Sequence, residues 1–520
     1  MTSPTMNRNP HRLRYGNEYA KQKLKTHAIG IVGVLLFVSG ILFFSPGHRI
    51  INDYGIPVDT GPITLQSGNA EIDYAHNLAL DEISGNIKEG RFIAGSGWAQ
   101  LWTRDTSYAA EQAASVLYPQ VVRASLEASV EHFTDRSGSN STVWLQDYCA
   151  HFGGWPNLSD AIVGARGAWV VYRVEGNITF LEWAYSVTVN SLRRAEAEAF
   201  DETTGLFTGC SSFMESNSGY PLKYKHNGAL VGKTKALSTN LLYYSGYDIA
   251  AKMGRELGMD SNRIESHERN AGSLRDAIRS LLWLEDKGYY SYFQDENGNL
   301  VENMEGLGES LALLELESDP QRVGSIFRRS KQTDLGVPCL WPRFDLGSYE
   351  RADHASSFYH NGRIWPFVDA YWALAAAEHG EVEIFARALK GLTSLAVKGK
   401  TFAEFYELNG TFLEYRSKQL WSETAFLSMI YQGLFGMRFQ VDCIEFKPVK
   451  PKSLFPQKSV SLKNFKYKGS LLDITIRGSG NNIVGFEVNG RRSGDRPFFS
   501  SRSNTGTRTG RYVINIQLQE

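Results

Sequence analysis

The chain has 520 residues, 42% of them hydrophobic, and 55 Lys and Arg balance 56 Asp and Glu to a net charge of −1. That hydrophobic content suffices for a large buried core and argues against a globally disordered chain, while the length fits about two to three domains. With no basic run beyond the first 25 residues, the chain lacks the electrostatic footprint of a nucleic-acid binder.

In chain order, Arg8, Arg12, Arg14, Lys21, Lys23 and Lys25 precede an uncharged, mostly apolar stretch, residues 28–45. Its length is at the lower end of what spans a bilayer. By the positive-inside rule the reading is a cytoplasmic basic tail (1–27) and an uncleaved transmembrane signal-anchor (28–46), with everything beyond it extracytoplasmic, whether periplasmic, lumenal or extracellular. A cleaved signal and a buried soluble helix are the alternatives. Residues 47–75 read as a tether. From 76 to 436 the pattern is helical, with segments at 160–175, 179–199, 234–257, 263–283, 364–379, 382–396 and 418–434. Ile364, Phe367, Tyr371 and Leu374 share one stripe, with Pro366 tolerated in the first turn. Paired helices joined by loops suggest a toroid of hairpins. After Gly436 the pattern changes to period two, in Leu472–Arg477 and Val513–Leu518, so residues 437–520 read as a small antiparallel, sandwich-like β domain. The expected class is therefore mainly α, with a C-terminal β domain and an N-terminal membrane helix.

Cys149, Cys210, Cys339 and Cys443 form no Cys-x-x-Cys pair, which argues against a thiolate zinc site. Disulfides stay open if the domain is exported. Asn140, Asn157, Asn177 and Asn409 lie in glycosylation sequons. The 11 Trp, 25 Tyr and 28 Phe supply core, and also flat faces on which sugar rings can stack.

Five constellations carry candidate chemistry. In Trp102-Thr103-Arg104-Asp105, the Arg–Asp pair can grip sugar hydroxyls beside an indole, or form a structural ion pair. In the stretch Trp144–Asp160, Trp155 sits in a Gly/Pro loop as a candidate platform, and Asp160 reads either as a substrate contact or, with Ser159, as a helix cap. The loop Ser211–Pro221 holds Glu215 between Phe213, Met214 and Tyr220. Partial burial there would raise its proton affinity toward an acid role. The stretch from Phe358 through Tyr359, His360 and Asn361 to Trp365 concentrates hydrogen-bonding groups and rings at a helix start, as a sugar-contacting loop or a packed turn. His360 has no neighbour at metal-ligand spacing other than His354, and no metal is expected. Finally Glu404, flanked by Phe402 and Phe405, is the candidate base. Glu407 is held in reserve, on the same face if that segment is helical. Gln419 and Trp421 open the next helix. Two carboxylates across a sugar are the minimum for breaking a glycosidic bond.

These motifs, in this order, resemble the six-hairpin glycosidases, whose catalytic domain is an (α/α)6 barrel, across residues 76–436. Trp102–Asp105 is similar to their substrate-gripping Trp-x-Arg-Asp. Phe213-Met214-Glu215 is similar to the Trp-Met-Asp that carries their general acid, with Phe and Glu in place of Trp and Asp. Tyr359–Pro366 resembles the late-barrel substrate loop. Ala403-Glu404 with Gln419-Leu420-Trp421-Ser422 resembles the pair around their base, with Ala replacing Pro. The resemblance implies an inverting exo-glycosidase acting on an α-glucoside-type oligosaccharide, with Glu215 as acid and Glu404 as base. Their carboxyl groups would lie about 6.5–9.5 Å apart, and no cofactor is implied. The alternatives are a phosphorylase on the same scaffold, a lyase, and a carbohydrate-binding protein without turnover. Oligomeric state has no sequence signal.

Overall fold

A computed structural model describes residues 61–147, 157, 159–214, 217–347, 359–492 and, with short gaps, 497–519. The expected basic tail and membrane segment lie outside these residues. Among the described residues no helix is long and apolar enough to cross a membrane.

Among the described residues, six outer helices alternate along the chain with six inner ones from Ala70 to Leu434. They are α1 (Ala70–Gly85) with α2 (Thr103–Ala109, prolonged by a π turn to Ala114), α3 (Pro119–Glu127) with α4 (Asp160–Glu175), α5 (Ile178–Ala199) with α6 (Leu237–Glu256), α7 (Ser261–Leu281) with α8 (Gly306–Leu311, prolonged to Leu316), α9 (Pro320–Arg329) with α10 (Pro366–Glu378), and α11 (Val382–Gly399) with α12 (Leu420–Ser428, prolonged to Leu434). The even-numbered helices pack in a closed ring: α2 on α4, α4 on α6, α6 on α8, α8 on α10, α10 on α12, and α12 back on α2. Sequence pattern separates the two layers. In α10 every residue from Pro366 to Ala377 is buried. In α7 only Ala271, Leu274 and Ile278 are, because that helix offers a single narrow apolar stripe to α6.

Local chemistry sets the hairpin corners. Gly176 ends α4 at φ 74°, a conformation glycine adopts without a Cβ penalty, and Asn177 then caps α5 by accepting from the Phe180 N–H at 3.0 Å. Gly164 faces the Trp144 ring so closely that a Cβ would meet it at 2.4 Å, so α4 can approach this indole only there. The helices predicted at 160–175, 179–199, 234–257, 263–283, 364–379, 382–396 and 418–434 are present, with ends moved by up to three residues.

The expected class is corrected. The described chain is a mixed helix-and-strand structure with several sheets, because short strands fasten the loops between helices, too short to leave a periodic signal. The expected N-terminal membrane helix is not part of the described structure. The C-terminal region is not purely antiparallel either. With β1 Thr64–Gln66, β2 Ser459–Tyr467, β3 Ser470–Arg477, β4 Ile483–Val488, β5 Arg491–Arg492 and β6 Arg511–Leu518, the sheet order is β1-β2-β3-β6-β4-β5. β3 and β6, the two alternating segments legible in the sequence, lie side by side in parallel, with Ile474 opposite Ile514 and Ile476 opposite Ile516. The chain before the barrel contributes β1 to this sheet's edge.

Candidate active site

All six inner helices begin at the same end of the ring, and the sequence motifs cluster there: Trp102–Asp105 opens α2, Asp160 opens α4, Trp365 precedes α10, and Gln419 precedes α12. Converging N-termini bring orphan N–H groups and positive dipole ends together, a surrounding that favours carboxylates. Carboxyl groups are in fact present in the first turns of five of these helices, Asp105, Asp160, Glu309, Asp369 and Glu423, although burial pushes Glu309, Asp369 and Glu423 toward the neutral form.

Arg104 directs its Nη1 to both oxygens of Asp160 at 3.2 Å. The Asp160 carboxylate also accepts the Asp147 N–H at 3.2 Å, while Ser159 makes no capping bond. Neither cap reading holds for this pair; Asp160 is the buried counter-ion of Arg104. Asp147 in turn accepts the Thr103 N–H at 2.6 Å and so seals the start of α2. Burial pushes its pKa up to about 6 against the opposing pull of Arg104 and that N–H. Asp105 accepts from Gln419 Nε2 at 2.9 Å, which ties the first inner helix to the last. Trp102 is half-exposed and meets Trp98 edge to face, with centroids 6.1 Å apart.

Glu404 is almost completely buried, and its carboxylate is surrounded by donors. Trp98 Nε1 donates to Oε1 at 2.8 Å, the Tyr359 hydroxyl donates to the same oxygen, and Arg416 Nη1 lies 3.2 Å from Oε2. The Arg416 guanidinium stacks over the Trp98 ring, 4.2 Å from its centroid, and Glu404 holds its pKa above the usual range against burial. The segment is not helical. Residues 402–408 form a loop with Tyr406 bridged to Ile364, and Glu407 bonds elsewhere, to Arg363 Nε at 2.8 Å.

The Glu215 loop approaches the same place. Glu215 itself and Trp155 lie outside the described residues, but the chain up to Met214 and from Asn217 onward does not. Phe213 packs against His360 and Trp365, with centroids at 5.3 and 5.1 Å, and also against Phe367 and Trp421. On the far side, Ser218 Oγ accepts from the His360 N–H at 2.9 Å. Tyr359, the next residue, packs on Trp365 and Phe405 and bonds Glu404. One short segment, Tyr359-His360, therefore touches both arms of the Glu215 loop and the Glu404 carboxylate. His360 stacks on Trp365 and is held neutral by burial, with Arg104 and Arg363 acting in the same direction. Asn361 is used structurally: its amide pairs with both the N–H and the C=O of Phe344, at 2.8 and 2.9 Å. Trp365, Gln419 and Trp421 are buried beneath this surface, whereas Trp98, Trp102 and Tyr359 are partly exposed.

Trp98 and Arg416 were not among the candidates from sequence, and Asp147 stood in the Trp144–Asp160 stretch without a role of its own. The available sign for Trp98 was an indole behind Gly95 and Gly97 in a loop four residues before Trp102. Among the described residues no group of three or more His, Cys, Asp and Glu side chains is arranged to hold a metal ion. Cys210 and Cys339 are buried, and Cys339 and Cys443 are free thiols.

The model of the mannosylglycerate hydrolase MGH1-like glycoside hydrolase domain matches residues 98–422. No curated protein matches the sequence. Among solved structures, a sialidase aligns over 83% of this chain at 16% identity and a TM-score of 0.59. The chain spans only 40% of that protein's length. The GH63 mannosylglycerate hydrolase from Thermus thermophilus, in complex with Tris, aligns over its full length and 69% of this chain, at 13% identity and a TM-score of 0.53. The GH78 rhamnosidase of Bacillus sp. GL1 aligns over 89% of this chain and 44% of its own, at 12% identity and a TM-score of 0.51. At these identities the structural likenesses speak for the fold.

Proposed function

The chain belongs to the mannosylglycerate hydrolase MGH1-like glycoside hydrolase family and is a glycoside hydrolase; within that class we propose an exo-acting, inverting enzyme for an α-glucoside-type substrate. In this reading Glu215 protonates the glycosidic oxygen, and Glu404 takes a proton from a water attacking the opposite face of the ring. The observation that supports it best is the Tyr359-His360 segment, which contacts both arms of the Glu215 loop and hydrogen-bonds Glu404. Two hydrogen-bond donors and a paired guanidinium around Glu404 suit a group that must be ionised to accept a proton. Trp98 and Trp102, partly exposed beside it, offer faces for a sugar ring.

Phosphorolysis on the same scaffold needs a cation free to hold phosphate near the base. Arg416 is engaged by Glu404 and stacked on Trp98, which favours water as the nucleophile. The names of the matched family and of the Thermus protein put mannosylglycerate among the substrates to assay.

The test is to incubate the full chain with α-glucosides, α-mannosides including mannosylglycerate, and α-rhamnosides, and to follow the released sugar by proton NMR. First release of the β-anomer from an α-glucoside supports the proposal; first release of the α-anomer overturns the inverting mechanism. Sugar-phosphate formation that depends on added phosphate overturns hydrolysis.

A further inference from the structure

The loop stem that leads to Glu215 is held at one point by a carboxyl group that the proposed reaction does not use. Glu305 is completely buried at the junction of a short strand (Met304–Glu305, paired with Leu340–Trp341) and α8. Its backbone is therefore fixed from both sides. Ser211 Oγ donates to Oε1 at 2.8 Å, and the Ser238 N–H, in the first turn of α6, donates to Oε2 at 2.9 Å. Gly308 leaves room for this carboxyl, since a Cβ there would meet Oε2 at 2.6 Å.

The other contacts of the stem share this directional character. The Ser211 N–H donates to the Tyr220 hydroxyl at 2.7 Å and the Ser212 N–H to Ser238 Oγ at 3.0 Å, while Ser212 Oγ lies 2.5 Å from the Tyr108 hydroxyl. The returning arm is fastened by the Tyr292 hydroxyl to the Gly219 C=O at 2.8 Å. The two arms pass so closely that a Cβ on Gly219 would meet the Met214 carbonyl oxygen at 2.5 Å. Among these contacts Glu305 alone joins the outgoing arm to an inner helix through two bonds from one rigid group. Burial pushes its pKa up to about 7, so near neutrality it is close to a neutral carboxyl that a carboxamide can imitate.

Building on the assignment of Glu215 as proton donor, we infer that Glu305 is a positioning residue for that donor. By tying Ser211 to the start of α6, it fixes the stem from which Glu215 is carried. Proton donation contributes in proportion to how poor the leaving group is, so a displaced donor has a signature that general damage to the fold lacks.

The experiment compares methyl with 2,4-dinitrophenyl α-D-glucosides and α-D-mannosides on the full chain; the methyl glycosides need protonation to leave and the dinitrophenyl glycosides do not. Glu305→Met, which removes both acceptors and keeps the side-chain length, is expected to lower kcat on the methyl glycosides about 10²-fold, with the dinitrophenyl glycosides within about threefold of wild type. Glu305→Gln is expected to stay within about fivefold on both, because it keeps one acceptor and one hydrogen-bonding partner for Ser211. If Glu305→Met does not fold, Ser211→Ala removes the same bond from the other side and is expected to give a selective loss of about tenfold. Equal losses on both leaving groups, or no loss, overturn the inference. Glu215→Ala, run in parallel, separates the two levels. A selective loss in Glu215→Ala with none in Glu305→Met or Ser211→Ala removes the positioning role alone. A uniform loss or no loss in Glu215→Ala removes the donor assignment, and the inference with it.

Discussion

The two sides of the candidate site use the same acidic residue type in different surroundings. The stem of the Glu215 loop is fastened by hydroxyls and by a buried carboxyl: Tyr108, Tyr220, Ser238 and Glu305. Glu404 is fastened by an indole N–H, a phenol and a guanidinium. A cation and two hydrogen-bond donors stabilise a negative carboxylate, whereas the contacts that fasten the stem are hydroxyls and a carboxyl that burial pushes toward its neutral form. The contrast is what the proposed division of roles calls for, with a proton donor carried on one side and a base held on the other.

The sharpest way to break this comparison is on the base side. Glu404→Gln keeps the shape and one acceptor oxygen for Trp98 and Tyr359, turns an NH2 toward Arg416, and cannot take up a proton. Its kcat is expected to fall at least about 10³-fold on every substrate, activated or not, which steady-state assays on both leaving groups would read. Retained activity on dinitrophenyl glycosides would move the base elsewhere.

Next in size is a stability effect on the acid side. Burial raises the Glu305 pKa from 4.5 to about 7 in the fold. The folded state therefore holds this proton more tightly than the unfolded chain, and the stability linked to it is complete below about pH 4.5 and lost as pH rises through about 7. At about 1.4 kcal/mol per unit, the loss across that window is at most about 3.5 kcal/mol. Asp147, raised to about 6, and Asp369, raised to about 8, act in the same direction. Denaturant unfolding at several pH values should show Glu305→Gln flattening the decline between pH 4.5 and 7 relative to wild type. An unchanged slope would mean that Glu305 is ionised throughout, and the neutral character argued for the acid side would fail.

How much of this was legible beforehand follows from the range of each interaction. Tyr359, Trp365, Glu404 and Gln419 stood out because rings and carboxyls were bunched in short segments, and a short segment is what a sequence displays. Trp98 bonds a carboxylate 306 positions away, so nothing local marked it. Nothing local marks Glu305 either, since its burial comes from elements before and after it in the chain. The spacing of Glu404 and Glu407 mimicked a helical face, yet the segment is a loop pinned by the bridge between Tyr406 and Ile364. The same limit applied to the β region. Alternation revealed β3 and β6, but their parallel pairing depends on the path of the 33 residues between Arg477 and Arg511 and leaves no periodic trace.

A smaller effect is expected at Arg416. The guanidinium and Glu404 stabilise each other's charge, and reciprocity requires that removing the cation raise the carboxylate's affinity for a proton. Arg416→Met should move the acidic limb of kcat/KM upward by about one pH unit and lower kcat about tenfold at pH 6, with recovery at higher pH. A limb that stays in place would show that Arg416 only packs against Trp98.

The smallest expected effect separates the donors that share Oε1. Trp98→Phe keeps a ring under Arg416 and removes a neutral N–H from Glu404 while leaving the Tyr359 hydroxyl bond. A neutral hydrogen bond is worth about 1 kcal/mol, so kcat should fall about fivefold with little movement of the acidic limb. Against Arg416→Met, this distinguishes aiming the carboxylate from charging it: Trp98→Phe should change kcat without moving the limb, and Arg416→Met should move both. If Trp98→Phe raises KM far more than it lowers kcat, the indole serves the sugar ring rather than the base, and the base side of the comparison would rest on Tyr359 and Arg416.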